Sequence, residues 1–385
     1  MTKGSRVGAV LVGASLLAVG ILSLTCRPAF DQQAWFKAAK LGPFRDKSET
    51  VATVEAAARK EGEVVVWSLS SRLEETGKAF EKKYGIKCSV QSMGTQDLLK
   101  KVRYDQQAKG FNADVYLFGD APEVLSTLVK QGQAWPWLSP EMERAIPESL
   151  KVGLPAHHVS AIGVIYNSDK YAQPPIKSWW DLTTPPWQGR VVMKDLKKGG
   201  GDVNLFSAFV QHSDDLARDY KDHFGEEIKL DGTPNAGYEF LKRLLANKPI
   251  FTPSGSEAAD KVGASNVVDP PVGLMTLGKV RYKGERSLAL KWIPGMTPAS
   301  GLAYPDPIGV ANGAKHPYAA KLFIEYALSV EGYKPYLEYG TWPARTDVPL
   351  PEEMIPLSQA GFWIVDPDYN FKVRKDIFDF IVGQQ

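Results

Sequence analysis

Small hydroxyls and charges gather at the ends of apolar runs in this chain, a placement suited to holding an anion. Ser70-Ser71-Arg72 follows the run Val64–Trp67 and precedes a helical pattern that reaches Phe80. Two hydroxyls, the backbone N–H groups of a helix start and a guanidinium would converge there. Gly94-Thr95-Gln96 and Gly119-Asp120 stand at equivalent turns after later strands. Further on, Lys194-Asp195 and Gly199–Asp202 form a loop before a helix, and Ser254-Gly255-Ser256 sets two hydroxyls around a glycine at another. The candidate contacts from these turns are Ser70, Ser71, Arg72, Thr95, Gln96, Asp120, Lys194, Asp202, Ser254 and Ser256. Structural roles compete for several of them. Ser71 with Glu74, and Ser254 with Glu257, have capping-box spacing. Asp120 is placed to cap a helix, and as a ligand contact it would accept from a hydroxyl or an amine. Lys194 shares its loop with Lys197 and Lys198, which suits a solvated basic loop.

Residue patterns for catalysis are missing. No P-loop, G-x-S-x-G elbow, H-E-x-x-H or paired C-x-x-C occurs, and Gly199–Gly201 lacks dinucleotide-turn spacing. The five histidines are scattered, His157-His158 being the one adjacent pair. Cys88 sits in a strand-like stretch and reads as a small buried apolar residue. No cofactor and no metal ligand set is expected.

The elements that position the turns alternate regularly. A helix from about Thr50 to Arg59 stops at Gly62, and Val64–Trp67 is a strand buried on both faces. Lys87–Gln91 and Asp114–Phe118 are further strands, with helices between them. This is βαβ winding and a mainly parallel sheet. A second block holds strands at Ser160–Tyr166, Val191–Met193, Val272–Met275 and Ser287–Trp292, with helices at Gly237–Leu245, Ser254–Ala259 and His316–Leu328. Gly301–Ala311 is an extended segment suited to crossing between two bodies. The tail after Pro349 holds one or two short helices.

At 385 residues the chain is long enough for two domains, and no 20–50-residue repeat runs through it. A net charge of +2 gives no electrostatic argument for nucleic acid. Lys3 and Arg6 precede an uncharged apolar run from Val7 to Leu24, the pattern of an export signal or anchor. Cys26 follows it immediately, where bacterial lipoproteins carry lipid, although Leu22-Ser23-Leu24-Thr25 matches the lipobox poorly. Either way the body lies outside the cytoplasmic membrane.

The block Glu61–Ser68, then Phe80–Lys87, then Asn112–Tyr116 resembles the opening of the periplasmic solute-binding proteins of ABC importers for ferric iron, thiamine, and phosphonates or sugar phosphates. Ile162–Asn167, Trp180–Thr183 with Trp187–Val191, and His316–Ile324 with Leu328–Tyr333 resemble later pieces of that family in the same order. The resemblance implies an α/β, two-lobed type II periplasmic-binding-protein fold, each lobe a mainly parallel sheet flanked by helices and joined by hinge strands. It implies residues 1–26 as signal or anchor, 27–49 as tether, 50–158 plus 305–347 as lobe 1, and 159–304 plus 348–385 as lobe 2. Tyr304 and Asp306, in the crossing segment where family members place contacts, join the candidates. Partners would be a small-molecule ligand, an ABC permease with its ATPase subunits, and the membrane through the N-terminal segment, the protein itself being a monomer. The ferric members use adjacent tyrosines, and no Tyr-Tyr pair occurs here. A small organic anion such as a phosphonate, sugar phosphate or carboxylate is therefore the expected ligand, ferric iron the alternative, and an extracellular enzyme or interaction protein the alternative of another class.

Overall fold

A computed structural model describes residues 30–196, 201–337, 340–352 and 354–384. Cys26, the apolar run before it, and Gly199-Gly200 with Lys197 and Lys198 lie outside the described residues. Among the described residues, no helix is long and apolar enough to cross a membrane.

The strands in chain order are β1 (Glu63–Ser68), β2 (Lys87–Ser92), β3 (Val115–Leu117), β4 (Ala134–Trp135), β5 (Ala156–Asn167) and β6 (Val191–Lys194). They continue with β7 (Ile250–Thr252), β8 (Val272–Thr276), β9 (Leu290–Trp292), β10 (Gly301–Ala311), β11 (Thr341–Pro343) and β12 (Trp363–Ile364). One sheet path runs β2-β1-β3-β10-β5-β8-β6-β7. Its two ends are parallel, β2-β1-β3 and β8-β6-β7, whereas β3-β10, β10-β5 and β5-β8 are antiparallel. Two parallel βαβ blocks thus meet through a pair of long central strands. Every residue of β5 is buried, as expected of a strand covered on both faces. At Gly301 the central pair comes so close that a Cβ would stand 2.0 Å from the Ile162 carbonyl oxygen, and φ is +144° there. Only glycine fits.

The helices begin and end where local chemistry tells them to. Thr50 caps Val51–Glu61 through a reciprocal bond with Thr53, and Gly62 ends that helix at φ 77°. Ser254 caps Gly255–Gly263 by accepting from Glu257 N–H. The Pro317–Leu328 helix is buried from Ala319 onward, mostly by apolar side chains with Lys321 and Glu325 among them, so it serves as a central post. One hydrophobic cluster runs from Phe36 to Ala156 and resumes from Ile308 to Val348. Two others draw on residues between Val159 and Tyr304 and between Trp342 and Ile381. Changes of cluster fall inside β5 and β10 and again around Trp342.

Two stretches differ from expectation. The segment taken as a tether is folded from Gln32 on: Gln32–Ala39 is a helix whose Phe36 and Ala39 are buried, and Trp35 Nε1 donates to the Ala314 carbonyl at 2.9 Å. Glu49, in the same stretch, is buried against Lys321 at 2.6 Å. The apolar residues Phe36, Ala39 and Leu41 are enough to anchor a short helix. The tail forms one 17-residue helix, Pro367–Gly383, capped by Asp366. Only Asn370, Ile377 and Ile381 of it are buried, too sparse a stripe to signal a long helix in the sequence.

Candidate ligand-binding cleft

The carboxyl ends of the strands and the starts of several helices surround a cleft of about 480 Å³. Ligands in open α/β sheets bind at such ends, where helix N–H groups point outward. Ser70, Ser71, Arg72, Thr95 and Asp120 line it from one block, and Lys194, Asp202, Ser254 and Ser256 from the other. Tyr304 and Asp306 on β10, with His158 and Ser160 on β5, complete it between them. Gln96 lines a neighbouring groove of about 700 Å³ instead, which Thr95 and Lys194 share.

Local geometry separates the candidates. Ser71 does not cap its helix, because it already has helical dihedrals and its hydroxyl cannot reach back to the third N–H. Glu74, its expected capping partner, accepts from Ser92 Oγ at 2.6 Å. Ser68 Oγ accepts from Ser70 N–H and donates to the Ser70 carbonyl, fixing the turn that carries both serines and Arg72. Arg72 lies 4.3 Å over the Tyr336 ring. Asp120 does not cap either. It sits in the left-handed region at φ 58°, and its buried carboxylate takes two bonds from Arg374 of the C-terminal helix at 2.9 and 3.2 Å. Its charge is thereby matched within the protein. Ser254 is committed to its helix cap, so Ser256 is the hydroxyl of that turn that meets the other side chains of the cleft.

The densest chemistry comes from a stretch outside the candidate set. After β8, Lys279, Arg281 and Tyr282 enter the cleft on a short helical segment. Lys279 Nζ donates to Ser256 Oγ and Tyr282 Oη, both at 3.1 Å, and Ser256 Oγ is 2.9 Å from Tyr282 Oη. Burial lowers the Lys279 pKa more than its tyrosine partner raises it. Burial alone would raise Tyr282. The bonds from Ser256 and Lys279 and the charges of Lys279 and Arg281 outweigh it, and the phenol falls below its ordinary range. Arg286 covers the same ring at 3.9 Å. The strand-end rule that picked out the other turns would have found this one had it been applied to β8.

On the central strands, Asp306 stands opposite His158 and Tyr304 opposite Ser160. Ser160 Oγ donates to Asp306 Oδ2, and His158 Nε2 lies 3.0 Å from the same oxygen. The Ser160 hydroxyl thus points to a carboxylate and not to an imidazole, unlike an activated nucleophile. Burial pushes Tyr304 well above the ordinary phenol range, so it stays neutral. Burial also pushes Asp202 up to about 6 despite the nearby Lys194. Arg72, Lys194, Lys279 and Arg281 therefore line a cleft in which Arg374 pairs with Asp120 and burial raises Asp202. The arrangement favours an anion. Among the described residues, no three His, Cys, Asp or Glu side chains gather in a metal-binding group.

Other residues near the cleft or with reactive groups have structural roles. Trp342 is buried and donates to the Ile355 carbonyl at 2.9 Å, and Arg345 is held by Asp347 at 2.7 and 2.8 Å. The Cys88 thiol is pushed up to about 12, chiefly by burial, which leaves it unreactive near neutral pH.

Comparison with known proteins agrees with this architecture. Residues 75–359 match the family model of the bacterial extracellular solute-binding proteins. An uncharacterized protein of Haemophilus influenzae is 25% identical over 296 residues, 72% of this chain and 76% of that one. Iron-bound HitA of Pseudomonas aeruginosa is similar in structure with a TM-score of 0.66 at 18% identity, over 84% of this chain and 99% of HitA. AfuA of Actinobacillus pleuropneumoniae, solved with exogenous fructose-6-phosphate, gives 0.65 at 20% identity, over 84% and 98%. With its type II periplasmic-binding-protein fold and its cleft at the strand ends, the chain belongs to the bacterial extracellular solute-binding proteins.

Proposed function

We propose that this protein captures a small organic anion in the cleft and delivers it to an ABC permease and its ATPase subunits on the outer face of the cytoplasmic membrane. The observation that carries the ligand class is the convergence of Arg72, Lys194, Lys279 and Arg281 with the hydroxyls of Ser70, Ser71, Thr95 and Ser256 around about 480 Å³. That volume suits a sugar phosphate, a phosphonate or a carboxylate. The anionic group sits among the cations and helix N–H groups, while Asp306 and Asp202 take hydroxyl or amine protons from the rest of the ligand.

Ferric iron fits less well. Four cationic side chains around the cleft would repel a trivalent cation, and the Tyr282 phenol is already bound by Lys279 and Ser256. Closure moves residues 50–158 with 305–347 as one lobe against 159–304 with 348–385 as the other, hinged on β5 and β10. Ligand bound between them stabilises the closed form by its greater affinity for it. The N-terminal segment carries the protein, a monomer, to its place at the membrane. Native mass spectrometry of protein purified without refolding tests the reading. A bound organic anion supports it, and stoichiometric iron with a visible phenolate band contradicts it.

A further inference from the structure

A line of polar groups runs from the interior to the cleft wall. The Ala327 carbonyl oxygen lies 3.2 Å from His157 Nε2, and His157 Nδ1 lies 2.9 Å from His158 Nδ1. His158 Nε2 is in turn 3.0 Å from Asp306 Oδ2, the oxygen to which Ser160 Oγ donates. All four side chains are buried. Within the line, the two central strands face each other, His158 directly opposite Asp306.

Hydrogen-bond rules decide where the protons sit. A carbonyl oxygen can only accept, so His157 Nε2 carries a hydrogen. Burial first, then the neighbouring His158, holds His157 well below the ordinary imidazole range, so His157 is neutral and its Nδ1 is a lone pair. That lone pair accepts, which puts a hydrogen on His158 Nδ1. His158 Nε2 then faces a carboxylate oxygen at bonding distance, and a second hydrogen is needed between them. The reverse arrangement, with the hydrogen on His157 Nδ1, would set its Nε2 lone pair against the Ala327 oxygen in a buried site. Two acceptors facing each other without a proton leave both unsatisfied.

We propose that His158 is a resident imidazolium, protonated on both nitrogens and paired with the Asp306 carboxylate across the central strands. The groups around it fit this state. His157 and Ser160 on β5 and Asp306 and Tyr304 on β10 are its strand neighbours. Tyr336 packs on its ring at 4.9 Å, with Tyr333 stacked on Tyr336, and both phenols are kept neutral by burial. Arg72, a cation that opposes this state, lies over Tyr336, and β11 sets Thr341, Trp342 and Pro343 against β5. Asp306 is the one carboxylate among these groups. Its charge is cancelled at source, so it does not repel an anion in the cleft. Ser160, whose hydroxyl already donates to Asp306, can only accept from a ligand. The wall between the lobes therefore selects a ligand that pairs its anionic group with a hydroxyl or amine.

The protonation state is read directly from imidazole nitrogen NMR of the 15N-labelled full chain, dialysed free of ligand, at pH 7. In the wild type, His158 should show both nitrogens as N–H and His157 the neutral form with hydrogen on Nε2. The doubly protonated signal should vanish in His158→Gln. In Asp306→Asn, which keeps the shape and removes the charge, the signal should become that of a singly protonated ring. That second variant supplies the assignment if the first does not fold. A singly protonated His158 in the wild type, or a doubly protonated one persisting in Asp306→Asn, overturns the proposal. No ligand enters the measurement, so its outcome is separate from that of the anion-capture reading.

Discussion

Two regions of this protein bury ionic groups, and they do so in opposite ways. Beneath the N-terminal helix, Lys321 Nζ lies 2.6 Å from Glu49 Oε2, and Trp137 Nε1 donates to the same oxygen at 3.1 Å. Burial pulls Lys321 below the ordinary lysine range, and Glu49 partly restores it. One cation meets one anion, and the core is locally neutral. At the cleft, Lys279, Arg281 and Arg286 crowd one phenol, Arg281 also pairing with Glu285 and Arg286 with Asp260, and Arg72 and Lys194 line the same cleft. Several cations gathered on one phenol at an open cleft suit a ligand, whereas a pair matched one to one in the core suits architecture. Glu325 is an intermediate case in the core: one carboxyl oxygen accepts from Ser139 at 3.0 Å and the other has no partner.

Breaking the matched pair should have the largest effect. Glu49→Ala leaves Lys321 charged and unpaired in the core, and should cost about 3–5 kcal/mol of stability in urea unfolding. The double variant Glu49→Leu, Lys321→Met should recover most of that loss. A silent Glu49→Ala would return this stretch to the status of a tether.

Glu325 sharpens the comparison through pH. Burial, the largest influence, pushes it up to about 7 from an ordinary 4.5. The folded state then binds a proton that the unfolded state releases between those values, so stability falls as pH rises through the window. Glu325→Gln should match the wild type at pH 4 and exceed it by about 2–3 kcal/mol at pH 8 in thermal unfolding. Equal pH profiles for the two proteins would contradict this.

Removing one of the cleft cations should leave the fold intact and weaken capture. Lys279→Ala should lower affinity for the native anion by about 1.5–2 kcal/mol, roughly 10- to 30-fold, with melting temperature unchanged or raised. The smallest effect belongs to Asp202, pushed up to about 6 by burial. As it ionises above that value it adds a negative charge to the cleft. Anion affinity should drop by a few-fold between pH 5 and 7, and Asp202→Asn should flatten the profile.

Much of this was legible in the sequence because strand, turn and helix alternate with strong signals. The apolar runs at Val64–Trp67 and Val272–Met275, the cap at Ser254 and the stop at Gly62 all depend on near neighbours. The strand-end turns held most of the candidate contacts that line the cleft, and the crossing segment held Tyr304 and Asp306. What escaped depends on distant pairs. Arg374 claims Asp120 from 254 positions away, and the His158–Asp306 pair exists only through the register of β5 and β10. Nothing local to Lys279-Val280-Arg281-Tyr282 shows that these side chains meet Ser256. The Gln32–Ala39 helix was missed for another reason. Its buried face is two residues wide and gains its stability from packing and not from propensity.

Isothermal titration calorimetry tests the central claim most directly. Phosphate monoesters, phosphonates, small carboxylates and ferric citrate would each be titrated into the wild type and Lys279→Ala. The account predicts that one anion class binds one-to-one to the wild type and is weakened at least about tenfold by Lys279→Ala, with no stoichiometric response to iron. Stoichiometric iron binding that survives Lys279→Ala, with every anion silent, would contradict it.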